Sequence, residues 1–66
     1  MVNIATQKDK LKIGLIVIYN NPPSKPEIGM VTSWNDRFVF VDYGTGTSQA
    51  TKYEHIRIVS DTLINN

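Results

Sequence analysis

Hydrophobic residues in this chain occur in short β-branched runs, and clusters of polar, glycine and proline residues separate the runs. Such a pattern predicts strands, because alternating apolar positions line one face of a sheet. The clearest run, residues 28–44, predicts two strands at 28–34 and 37–43. Asn35 and Asp36 between them form the predicted turn, since both residue types tolerate the positive φ of a two-residue hairpin loop.

Three further strands, a loop and one short turn complete the prediction. Residues 12–20 are apolar on both alternations and predict a central strand, and further strands are predicted at 47–51 and 56–60. All three prolines lie in the connection after the first strand, and a single 3₁₀ turn is predicted at 52–55. This arrangement predicts an all-β fold, a small five-stranded SH3-like barrel with a Pro-rich first loop and one 3₁₀ turn before the last strand.

The two faces of the predicted hairpin are both apolar, although a chain of this size has one core. A turn at Asn35-Asp36 puts Val31, Phe38 and Phe40 on one face of the hairpin. Resemblance to small barrels of the Tudor type implies that this face points inward, and we expect Ile16, Ile18 and Ile56 as its neighbours. The other face is then an outward strip and the predicted partner-binding or oligomer surface: Trp34, Arg37, Val39, Val41 and Tyr43. Packing of this strip against the N-terminal segment is the equal alternative.

The length of 66 residues predicts one domain that buries only about 60% of the surface of its unfolded chain. With no cysteine and one histidine, self-association is the remaining route to extra stability. We expect a flexible basic arm at 1–11, the barrel at 12–60 and a polar tail at 61–66. No segment has the pattern of a signal peptide or a membrane span, so we expect a soluble cytoplasmic protein.

Net charge is only +1, but residues 1–26 carry +3 and residues 27–66 carry −2. The positive end contains Lys8, Lys10 and Lys12, which are the predicted contacts if the chain binds nucleic acid. A solvated arm that keeps the domain soluble explains the same lysines.

Three motifs resemble Tudor-type and related SH3-like barrels: a glycine-containing second strand at 28–31, an Asp42-Tyr43-Gly44 strand ending and a final turn and strand at 53–59. Runs at 29–33, 35–41 and 47–51 are also similar to short phage-encoded proteins of unknown function. The Tudor resemblance implies that Tyr43, with Trp34 as a second wall, forms part of an aromatic cage for a methylated cation. Thr45 stands where that family commonly has asparagine.

The segment 46–51 also resembles the pore strand of plasmid-type dihydrofolate reductases, with Gln49 at the position of their glutamine; Ala50 and Thr51 replace the isoleucine and tyrosine. No residue pattern indicates catalysis, a cofactor or a metal site, since His55 lacks companion ligands and is expected at the surface. We therefore predict a non-enzymatic binding module, a phage-type accessory protein that contacts a host or phage protein or itself. The alternatives are nucleic-acid binding and an oligomer with a small-molecule or nucleotide pocket between subunits. If the chain is phage-encoded, the expected location is the host cytoplasm.

Overall fold

One antiparallel sheet organises residues 2–60, the part of the chain that the computed structural model describes. Its strands are β1 (Val2–Asn3), β2 (Ile16–Tyr19), β3 (Glu27–Trp34), β4 (Phe38–Asp42), β5 (Ser48–Lys52) and β6 (Ile56–Ser60), in the spatial order β1-β6-β2-β3-β4-β5. The sheet is open, with β1 and β5 at its edges. Three 3₁₀ turns lie at Ile4–Thr6, Lys8–Lys10 and Tyr53–His55, and no α-helix occurs among these residues. The prediction of an all-β fold is confirmed.

The hydrophobic core lies on one face of the sheet, here called the core face. Its fully buried side chains come from β2, β3, β4 and β6, from the residue just before β2 and from the 3₁₀ turn that follows β1: Ile4, Leu15, Val17, Val31, Val39, Val41 and Ile56. Side chains of successive strand residues point to opposite faces. The residues between these positions therefore form a second face, here called the outer face.

The hairpin turn differs from the sequence prediction by one residue. The Asn35 N–H donates to the Phe38 carbonyl at 2.9 Å, and the Asn35 side-chain oxygen accepts from the backbone N–H groups of Arg37 and Phe38 at 2.8 Å each. Asparagine favours the first position of a turn because its side chain can accept these bonds. The loop is therefore Asp36-Arg37, and Trp34 lies opposite Val39.

An irregularity at Thr32 moves the register again, so that Val31 lies opposite Val41. Thr32 is the extra residue of a β-bulge; its hydroxyl donates to the Phe40 carbonyl at 3.1 Å and hydrogen-bonds the Ser48 hydroxyl at 2.6 Å. The bulge keeps Val31 on the core face while Ser33 pairs with Phe40 on the outer face.

The bulge at Thr32 corrects the predicted face assignment, because a regular hairpin with a turn at Asn35-Asp36 would place Val31 opposite Phe40. Val39 and Val41 are fully buried in the core and cannot form an outward strip, whereas Phe38 and Phe40 are half-buried on the outer face. The predicted inner neighbours divide in the same way. Val31 and Ile56 are core residues, but Ile16 and Ile18 point to the outer face.

The predicted N-terminal arm is folded against the sheet from Val2 onward. β1 pairs with β6, and Ile4, in the following 3₁₀ turn, is fully buried. Where the sequence predicts a flexible basic arm at 1–11, the structure has a short strand followed by two 3₁₀ turns. The predicted tail at 61–66 lies outside the described residues. Within residues 2–60, no helix has the length and apolarity that crossing a bilayer requires.

Candidate functional site

A cleft of about 430 Å³ opens on the core-face side, where β2 ends and β4 leaves the sheet. Aromatic rings, amides and one carboxylate form its walls: Tyr19, Asn21, Glu27, Tyr43, Gln49, Ala50, Thr51, Lys52 and His55. We call it the ring cleft. Its residues come from three strands, the β2–β3 and β4–β5 connections and the turn before β6, so it exists only in the folded chain.

The Tyr19 ring contacts two other rings of this cleft edge to face. The Tyr19 and Tyr43 centroids are 6.2 Å apart with their planes at 71°, and the Tyr19 and His55 centroids are 5.9 Å apart at 90°. Asn21 donates through its side-chain amide to the Tyr19 hydroxyl at 3.0 Å, and the Tyr43 and Thr51 hydroxyls hydrogen-bond at 3.0 Å. These contacts hold the rings in place before a ligand arrives, which lowers the entropy cost of binding.

Local sequence explains where the tyrosines lie. Tyr19 follows buried Val17 by two positions and Tyr43 follows buried Val41 by two, so both point to the core face just beyond the core. Gly29 leaves the space for Tyr43, since a Cβ added at Gly29 would lie 2.7 Å from Tyr43 Cδ1.

Asp42 shapes the turn that follows β4. Its carboxylate accepts the backbone N–H groups of Gly44, Thr45 and Gly46 at 2.8, 3.1 and 3.2 Å. The bonds from Gly44 and Gly46 hold the pKa of Asp42 below its usual value despite partial desolvation. Gly44 and Gly46 have φ of 100° and 84°, a conformation that glycine adopts without strain.

The charge inside the ring cleft is negative. Glu27 lies opposite Tyr19 on β2 and its side chain points to the same face, whereas Ala50 and Lys52 alternate with Thr51 and direct their side chains to the outer face. Burial raises the pKa of Tyr43; its bond to Thr51 opposes this, and the charge of Glu27 raises the pKa further. Aromatic faces beside a carboxylate attract cations.

A second cleft, of about 480 Å³, is basic. It is lined by Lys8, Arg37 and Lys52 around Tyr53, together with Ala5, Phe38 and Glu54. The Lys8 ammonium lies 4.6 Å from the centroid of the Tyr53 ring, a cation–π contact. Lys10 and Lys12, the other predicted nucleic-acid contacts, are exposed but do not line this basic cleft.

The structure separates the predicted site residues. Tyr43 lies in the ring cleft, Arg37 in the basic cleft, and Trp34, 41% exposed, in a third cleft beside Leu11 and Tyr53. Trp34 is therefore not a second wall beside Tyr43.

The sequence did not indicate Tyr19 and Glu27 as site residues. It predicted His55 at the surface, but His55 is half-buried in the structure. The signal in the sequence for an aromatic site was a tyrosine at the end of each of two strands, Tyr19 and Tyr43. Gln49, singled out by the reductase resemblance, does line the ring cleft. Within residues 2–60, no three His, Asp or Glu side chains are grouped to hold a metal ion.

The fold and the cleft define the chain as an all-β protein with a preformed aromatic cleft on one face of an open sheet. Comparison with known proteins gives no match to any family model, curated protein or solved structure.

Proposed function

We propose that this protein is a non-enzymatic binding module that holds a cationic side chain of a partner protein in the ring cleft. The observation that carries the proposal is the contact of Tyr19, Tyr43 and His55 rings beside the Glu27 carboxylate. An arginine, a lysine or a methylated lysine can place its charge against ring faces while Glu27 compensates it.

An SH3-like architecture is part of this proposal. The order β6-β2-β3-β4-β5, with a 3₁₀ turn between β5 and β6, supports it. In such a barrel the ring cleft lies between the β2–β3 loop and the β4–β5 loop. A phage-type accessory role, with a host or phage protein as the partner, stays a prediction from the sequence.

Binding of short peptides tests the proposal. We expect peptides with a central arginine, lysine or trimethyllysine to shift the NMR signals of the Tyr19 and Tyr43 rings, and Glu27→Gln to weaken binding about tenfold by removing a nearby charge. Asp36→Asn, which removes a carboxylate outside the ring cleft, is the matched control and leaves affinity unchanged.

Two results contradict the proposal. One is the absence of ring shifts at millimolar peptide. The other is equal binding of a peptide with norleucine in place of lysine, because the charge would then contribute nothing.

Nucleic-acid binding is a second candidate, favoured by the Lys8, Arg37 and Lys52 side chains around Tyr53. A single-stranded oligonucleotide can place phosphates on the cations and stack a base on the ring. Affinity is then expected to fall steeply with salt, and Lys8→Gln to reduce the slope of that fall by about one ion. A Lys25→Gln variant, which removes a lysine outside the basic cleft, controls for net charge. No binding at low salt excludes this candidate.

A further inference from the structure

The outer face of β2 and β3 carries an apolar cluster that the core does not use. Ile16 lies opposite Met30 and Ile18 lies opposite Ile28, so the four side chains form two adjacent cross-strand pairs, here called the outer quartet. Ile28 is 62% exposed and Met30 is 39% exposed. Contiguous exposed apolar side chains on a small domain mark a contact surface.

Charged residues flank the outer quartet on a diagonal. Arg57 on β6 lies opposite Ile18, beside the Ile18–Ile28 pair. Asp42 on β4 lies opposite Met30, beside the Ile16–Met30 pair and on the opposite side of the cluster. The Asp42 carboxylate is held ionised by three backbone N–H groups. The apolar cluster therefore has a positive residue on one flank and a negative residue on the opposite flank.

This diagonal is self-complementary. A two-fold axis that runs along the strands between β2 and β3 places β6 of one copy over β4 of the other. Arg57 of each copy then faces β4 of the other copy, two residues along the strand from Asp42. This offset is about 7 Å, a distance that an arginine side chain can span. Both charge pairs form at once, and the two outer quartets pack face to face as in a sheet sandwich.

We propose that the occupant of the outer quartet is a second copy of this chain, in a face-to-face dimer. A hydrophobic partner of another kind would have no need for opposite charges at related positions. The ring cleft lies on the other face of the sheet, so the dimer leaves two ring clefts open and does not depend on the proposed cation binding.

Sedimentation equilibrium on the full chain tests the dimer. We expect the mass to rise from monomer to dimer between about 1 and 300 µM, and Ile28→Lys to weaken association at least tenfold by placing a charge in the contact. Ile13→Lys is the matched control, because Ile13 is 75% exposed and lies outside the outer quartet; it keeps the dimer.

A second variant tests the geometry. Arg57→Glu places like charges opposite Asp42, so we expect weaker association that higher salt partly restores. Far-ultraviolet circular dichroism shows whether each variant remains folded. A chain that stays monomeric over the whole range, forms trimers or larger species, or responds equally to Ile28→Lys and Ile13→Lys overturns the proposal, as does vesicle binding by a chain that remains a monomer.

Discussion

Replacing Ile4 by alanine is expected to lower the free energy of unfolding by about 2–5 kcal/mol. Ile4 is fully buried and packs in the core with residues of β2, β3, β4 and β6, although it lies in a 3₁₀ turn near the start of the chain. Truncation leaves a cavity that the short turn fills poorly. A domain of this size has little stability to lose, so the variant is expected to be partly unfolded at room temperature.

Urea unfolding followed by circular dichroism measures this effect, at one protein concentration so that self-association does not vary. Ile13→Ala removes the same atoms from a side chain that is 75% exposed, and we expect it to change stability by less than about 0.5 kcal/mol. Equal unfolding midpoints for Ile4→Ala and the unmodified chain would show that the N-terminal segment is not part of the core.

Gly29→Ala is expected to have the second large effect, a loss of about 1–3 kcal/mol. A Cβ at this position would lie 2.5 Å from Val41 Cγ1, 2.7 Å from Tyr43 Cδ1 and 2.9 Å from the Asp42 carbonyl oxygen. The carbonyl belongs to the backbone of β4, so β3 and β4 must separate. The glycine is needed here for the close approach of two strands.

This substitution is also expected to move the Tyr43 ring, which contacts the added methyl group, and so to weaken binding in the ring cleft. Thermal unfolding and the NMR shifts of the Tyr43 ring measure the two effects separately. Ser33→Ala adds alanine to an exposed position of the same strand and serves as the control. A Gly29→Ala protein with wild-type stability and unshifted Tyr43 signals would contradict the packing described for β3 and β4.

The two proposed surfaces use opposite faces of the same strands. Tyr19 and Glu27 point to the ring cleft, while their neighbours Ile18 and Ile28 point to the outer quartet. Because successive residues alternate, one pair of adjacent strands supplies both surfaces. A dimer through the outer face would present two ring clefts to a partner, which would raise the apparent affinity for a protein with two cationic segments.

The sequence showed that both faces of the hairpin are apolar, but it did not show which face is the core. The prediction assigned Val39 and Val41 to the surface and Phe38 and Phe40 to the core. The structure reverses both pairs, because a bulge at Thr32 places Val31 opposite Val41, whereas a regular hairpin with a turn at Asn35-Asp36 would place Val31 opposite Phe40. A shift of one residue exchanges the faces of a strand, and no local pattern announces where a bulge will form.

The sequence by itself determined the all-β class, the last strand at Ile56–Ser60 and the 3₁₀ turn before it, because strand periodicity and turn chemistry are local. It also showed that the hairpin has more apolar side chains than one core can bury. Only the tertiary structure decided which face is the core, that Ile4 belongs to it, and that Tyr19, Tyr43 and His55 meet beside Glu27. Those results depend on strand register and on contacts between residues far apart in the chain, which short-range patterns do not encode.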